Sequence, residues 1–140
     1  MLAWIIYYKN AADYNKKYIE FYQEEGKKLG VTVRLVLVEE LEFGVEDGRW
    51  FIKVSGETAG HPDFAICRAI YPMLTRQLEL MGIPVFNNSF VSEICNDKAR
   101  TYQYLAKTGI KMVDSSFYKN CLVEAALKEE KLDRPMVVKA

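Results

Sequence analysis

Residues 31–38 read VTVRLVLV. The run is apolar at most positions and rich in β-branched side chains, so it reads as a strand buried in a sheet. What precedes it decides the fold. Residues 10–30, NAADYNKKYIEFYQEEGKKLG, carry Tyr14, Tyr18, Phe21, Tyr22 and Leu29 at helical spacing. Asn10 or Asp13 can cap the start of that helix, and Gly30 can close it in the left-handed conformation. Ahead of the helix, Ala3–Tyr8 is a second compact apolar run. Strand, helix, strand implies a parallel pair joined by a right-handed crossover, which is the unit of an open α/β layer. The tyrosine-rich stripe is read as core packing rather than as a stacking platform.

Beyond Val38 the pattern changes. Asp47-Gly48 divides LEFGVE from RWFIKVSGE, a strong signal for a β-hairpin inserted at the rim of the sheet. The α/β rhythm then returns. Phe64–Cys67 reads as a strand. Pro72 sits in the first turn of a helix whose Leu74, Leu78 and Met81 share one face, and Gly82 ends it. IPVFNNS is a short strand running into an Asn/Ser cap. Residues 91–109 read as helical with a break near Asn96-Asp97, and Gly109 closes them. Residues 110–120 are extended, residues 121–132 form a short amphipathic helix, and RPMVVKA is a last strand. A seam between Asn87 and Asp97 divides a self-contained layer, residues 1–95, from the opening of a second domain, residues 96–140.

Composition narrows the function. The 140 residues hold 19 basic and 19 acidic side chains, a balance that argues against a nucleic-acid surface. Three cysteines, Cys67, Cys95 and Cys121, stand far apart with no Cys-x-x-Cys pair, so a zinc site or disulfide framework is not expected. The single histidine, His61, sits in a loop-like stretch and reads as solvated. The opening MLAWIIYYKN has no basic leader and is too short to cross a bilayer. The expectation is a cytoplasmic protein with neither nucleic acid nor membrane among its partners.

Three cationic side chains could carry chemistry. Arg68 ends the Phe64–Cys67 strand, at the carboxyl edge where open parallel sheets bind ligands. It can grip a carboxylate or phosphate through two parallel hydrogen bonds, or it is a surface arginine in a solvated loop. Lys98 stands at a helix start, where it opposes the helix dipole unless an anion joins it. Lys139 ends an apolar strand, in water or pointing into a site. There is no glycine loop of the GxxxxGK[ST] or GxGxxG kind, and no carboxylate pair at metal-ligand spacing.

The ordered set RAIYPMLTRQLELMGIPVFNNS, then DK with TYQYLAKTGI, then PMVVKA resembles the ATP-grasp ligases. It is most similar to the ribosomal-protein glutamate ligase branch and to relatives acting on amino-acid carrier proteins. The resemblance covers about residues 63–140; residues 1–60 match in architecture alone. It implies a three-layer pre-ATP-grasp domain of flavodoxin or Rossmann type with a hairpin insertion, followed by the start of an ATP-grasp domain. The implied reaction uses ATP and Mg2+ to phosphorylate a carboxylate, and an amine then attacks the acyl phosphate to give an amide. By position, Lys98 and Lys139 match the family's nucleotide-contacting lysines, and Arg68 an arginine near the acceptor. Asp97 matches a helix cap. No catalytic residue and no metal ligand is carried over.

The partners implied are ATP and an amino-acid or carboxylate substrate, with a homo-oligomer left open. In the family, a glycine-rich lid and the magnesium-binding Glu and Asn follow VVK, so the chain is expected to be an N-terminal fragment, inactive in ligation by itself. Two other readings stand beside it. One is a non-catalytic α/β module that docks its last strand on a partner. The other is a flavodoxin-like or receiver-like domain, against which Lys9 and Asn10 stand where acidic residues or a phosphate loop would be wanted.

Overall fold

The computed structural model describes residues 1–58 and 60–118. The chain divides into two units, Met1–Thr101 and Tyr102–Ala140. The first is built on a four-stranded parallel sheet of β1 (Leu2–Tyr7), β2 (Thr32–Leu37), β6 (Phe64–Cys67) and β7 (Val85–Phe86), in the order β2-β1-β6-β7. A second, antiparallel sheet is made by β3 (Leu41–Glu46), β4 (Arg49–Val54) and β5 (Glu57–Thr58). The helices are α1 (Lys9–Tyr14), α2 (Lys16–Lys28), α3 (Pro72–Leu80), α4 (Ser89–Cys95) and α5 (Lys98–Leu105). The mixed α/β class, the parallel sheet and the hairpin agree with the sequence reading.

β1 is the central strand, pairing with β2 from Leu2↔Thr32 to Tyr7↔Leu37 and with β6 from Ala3↔Phe64 to Ile6↔Cys67. Both its faces are covered, and Ala3–Tyr7 are buried throughout, as an unbroken apolar run predicts. Alternation sorts its side chains between two cores. Trp4 and Ile6 join Leu74 and Leu78 of α3, and Ile52 and Val54 of β4, on one face. Ala3, Ile5 and Tyr7 join Ala12 and Ile19, from α1 and α2, on the other. Helices thus flank the sheet on both sides, and the antiparallel sheet shares the α3 side.

The turns follow from residue chemistry. Asp47 and Gly48 both take positive φ, 48° and 74°, the conformation a two-residue type I′ turn demands. Ser55 (φ 54°) and Gly56 (φ 80°) repeat it, adding β5 and extending the expected hairpin to a three-stranded meander. Gln77 ties the meander to α3: its Nε2 donates to the carbonyls of Gly44 (3.1 Å) and Phe51 (2.7 Å). Asn88 caps α4 by accepting from the Val91 amide at 2.8 Å. Asp97 caps α5 in the same way, accepting from the Arg100 amide at 3.1 Å, as its sequence position suggested.

One expectation is overturned. The stretch after β1 is two helices broken at Asn15, and the large aromatic side chains do not form the core stripe. Tyr14 is 92% exposed, Phe21 55% and Tyr18 43%; the buried positions are Ala12, Ile19 and Gly26. The reason is distance. A Cβ built on Gly26 would lie 2.7 Å from Val33 Cγ2 and 2.8 Å from the Val31 carbonyl oxygen, so α2 rests almost backbone-to-strand on β2. At that end of α2 only glycine fits against the strand, Ile19 fills the core one face further back, and the aromatic residues turn outward or along the edge.

In the second unit, Gly109 ends a short 3-10 turn in the left-handed conformation (φ 73°), and residues 110–118 carry no regular secondary structure. The Tyr102 and Phe117 rings meet edge to face with centroids 6.0 Å apart. The expected helix at residues 121–132 and the strand ending in Lys139 lie outside the described residues.

Candidate functional site

In the parallel sheet β1 has β2 on one side and β6 on the other, so the chain reverses its direction of travel between β1 and β6. The carboxyl ends of those two strands flank a topological switch point, the position at which open α/β sheets leave a ligand crevice. The residues that follow these ends are Tyr8–Asn10 and Arg68–Tyr71.

The segment after β6 folds over the end of β1. The Arg68 and Ala69 amides both donate to the Ile6 carbonyl, at 2.9 and 3.2 Å. The Tyr8 hydroxyl donates to the Ile70 carbonyl at 3.3 Å, spanning the switch point from the other side. Burial, then the neighbouring Tyr71, Cys67 and Glu39, raise the pKa of that phenol, so it stays a neutral donor. Cys67 lies beneath, buried, with its thiol donating to the Ala69 carbonyl at 3.3 Å. Burial pushes its pKa up to about 11, which keeps it an unreactive thiol rather than a nucleophile.

Glu39 closes the third side. It follows β2, and its two carboxylate oxygens each accept from the Lys9 amide at 3.0 Å. A negative charge at the start of α1 is favoured by the free amides there. Sequence reasoning sought that cap within the segment, at Asn10 or Asp13, and missed a residue 30 positions downstream. An open cleft of about 450 Å3 is lined here by Tyr8, Lys9, Asn10, Asp13 and Glu39.

Arg68 sits where its sequence position placed it, at the carboxyl edge, exposed, with no carboxylate in ion-pair distance among the described residues. Strand alternation sends it to the face opposite Cys67, toward α2. Its guanidinium carbon lies 6.0 Å from the Tyr18 ring centroid, a cation–π distance. Tyr18 and Tyr22 share one hydrogen bond between their hydroxyls, 3.1 Å apart, and their rings meet edge to face at 4.9 Å. That hydrogen bond is the main cause of a raised Tyr22 pKa; burial and Tyr7 also raise it, while Arg68 lowers it. The Tyr7 hydroxyl is buried and has no hydrogen-bond partner among the described residues.

Lys98 stands apart from this edge in the chain, as the first residue of α5, exposed and without a hydrogen bond or ion pair among the described residues. The neighbouring charges do pair: Arg100 bonds to Glu93 and lies 3.5 Å from Asp97. Lys139 is outside the described residues. Among the described residues no group of three His, Cys, Asp or Glu side chains could hold a metal ion, and no helix is long and apolar enough to cross a membrane. No protein-family model matches the sequence, and no curated protein matches it.

Proposed function

We propose that the chain is the front part of an ATP-dependent carboxylate–amine ligase of the ATP-grasp type, with residues 1–95 as its pre-ATP-grasp layer and residues 96–140 as the start of the nucleotide domain. The observation that carries the reading is Arg68: a guanidinium with no carboxylate partner among the described residues, at the carboxyl edge of a parallel sheet, beside its switch point. Ligands of open α/β sheets bind at that edge, and an arginine placed there can hold a substrate carboxylate through two parallel hydrogen bonds.

In this reading Lys98 and Lys139 contact ATP, and Arg68 orients the acceptor or its carboxylate. Lys98 suits the role. It opens a helix whose first turn contains no acidic residue, and the Asp97 carboxylate beside it is already engaged by the Arg100 amide, leaving the lysine charge for an anion. Bound MgATP would supply the phosphoryl group that activates the carboxylate. Among the described residues no group of three His, Cys, Asp or Glu could hold a metal ion; in this reading the magnesium ligands come from elsewhere in the protein. A buried, unreactive Cys67 fits the reducing cytoplasm proposed for an enzyme of this kind.

The experiment is a trap for the activated carboxylate. The product of the whole reading frame is incubated with MgATP, candidate carboxylates such as glutamate, and hydroxylamine. Hydroxamate formation that depends on both ATP and a carboxylate, and that falls when Lys98 is replaced by Ala, supports the ligase. ATP-independent or absent hydroxamate across the panel contradicts it. The exposed aromatic residues Tyr14 of α1 and Tyr18 and Phe21 of α2 favour the second reading, a docking module, which would show partner capture without nucleotide turnover.

A further inference from the structure

The tyrosines beside Arg68 present an excess of hydrogen-bond donors. Tyr18 and Tyr22 share a single hydrogen bond, which uses one of their two phenolic protons. The Tyr7 hydroxyl, on a residue only 3% exposed, uses neither its proton nor its lone pairs among the described residues. A buried hydroxyl without a partner is uncommon in native structures, because its desolvation is not offset. The hydrogen-bonding capacity of the Tyr7 hydroxyl is taken up by no described residue. Arg68 adds up to five N–H donors, and no carboxylate among the described residues competes for them.

The four groups belong together. Tyr7 ends β1 and packs in the same core cluster as Tyr22. Tyr22 is joined to Tyr18, and Arg68 lies over the Tyr18 ring. Both Arg68 and Tyr7 are close enough to Tyr22 to act on its proton equilibrium. The cluster lies on the α2 side of the switch point, where β1, β6 and α2 meet.

We propose that Arg68, Tyr7, Tyr18 and Tyr22 form a binding site for an oxyanion, the carboxylate or phosphate group of a ligand arriving at the carboxyl edge of the sheet. A surplus of donors around a fixed positive charge selects a group that only accepts. The guanidinium takes two oxygens of the anion side by side, and the phenolic protons left over by the Tyr18–Tyr22 pair and by Tyr7 complete its shell. The proposal deepens the ligase reading, on which the role of Arg68 as a substrate contact rests, by giving the ligand's chemical class and three further contacts.

The test is binding, not turnover, so its failure is separable from that of the ligase reading. The 140-residue chain is titrated with sodium glutarate and with inorganic phosphate at constant ionic strength, by calorimetry, and melted with and without each. The expected result is saturable binding of one of the two, the preferred one naming the source of the oxyanion. Arg68→Gln weakens it at least tenfold. Tyr7→Phe weakens it at least threefold and, by removing an unpartnered buried hydroxyl, raises the melting temperature of the free protein. Tyr14→Phe, at an exposed position on the preceding helix, changes neither. Binding of neither anion overturns the proposal. So does binding that Arg68→Gln weakens but Tyr7→Phe and Tyr22→Phe leave unchanged, because the arginine would then act alone as a surface charge.

Discussion

Replacing Gly26 by Ala tests how α2 is seated. In an unobstructed helix interior this change stabilises by about 1 kcal/mol, because Ala loses less backbone freedom than Gly. Here the added Cβ would stand 2.7 Å from Val33 Cγ2 and 2.8 Å from the Val31 carbonyl oxygen. Carbon atoms rest at ~3.5–4.0 Å, so relief requires movement of about 1 Å. Neither neighbour can give way easily. Val33 is buried and β-branched, with a restricted side-chain rotamer. The Val31 oxygen is main chain, and the Val31 amide is itself tied to the Gly26 carbonyl at 2.8 Å. Overpacking of this kind costs roughly 1–3 kcal/mol. With a backbone atom in the way, the upper half of that range applies, and after subtracting the propensity gain the net loss is about 1–2 kcal/mol.

For a unit of this size, that is a fall in melting temperature of about 4–8 °C, read by circular dichroism at 222 nm. The displaced helix also carries Tyr18 and Tyr22 away from Arg68, so anion binding should weaken together with stability. A rise in melting temperature of about 4 °C, the gain expected of an open helical site, would refute the close seating of α2 on β2.

Glu79 accepts from the Ser89 amide (2.8 Å) and hydroxyl (2.5 Å), linking α3 to the start of α4. Glu79→Ala strands both donors on a buried serine and should cost about 2–3 kcal/mol, seen as a lower urea midpoint with an unchanged slope. The Cys67 thiol, raised by burial from 9.0 to about 11, holds its proton in the folded state after the unfolded chain has begun to release it. Stability from this group is therefore full below pH 9 and falls between about pH 9 and 11, by roughly 2–3 kcal/mol, and Cys67→Ala should flatten that fall in pH-dependent urea titrations. In native protein at pH 8, a maleimide should label the exposed Cys95 well before Cys67, as peptide mapping would show.

What the sequence disclosed divides along the line between local and long-range causes. The strand–helix–strand order, the Asp47-Gly48 turn, Pro72 in the first turn of α3, and the break between α4 and α5 each depend on a few adjacent residues, and each is seen in the structure. Arg68 was legible for the same reason, since its place at the strand end follows from the apolar run before it. The aromatic stripe of α2 was misread because side-chain size was taken as the guide to burial. The helix lies so close to β2 that Gly26 faces inward instead, and the break at Asn15 shifts the phase of the pattern. Glu39 on the Lys9 amide, Gln77 on the meander, and the Tyr7–Tyr22–Tyr18–Arg68 cluster join segments far apart in the chain. No spacing rule reports such pairs, because the fold alone creates them. The Ser55-Gly56 turn was in plain view, but the two-residue strand after it is too short to show a period.

The ligase reading rests on Lys98 and Lys139 serving one nucleotide, and the most direct measurement is to sequence the source reading frame past codon 140. The account predicts that the sequence after Lys139 runs into a glycine-rich loop, followed further on by the Glu and Asn residues of a magnesium site. A stop codon directly after Ala140 would contradict it.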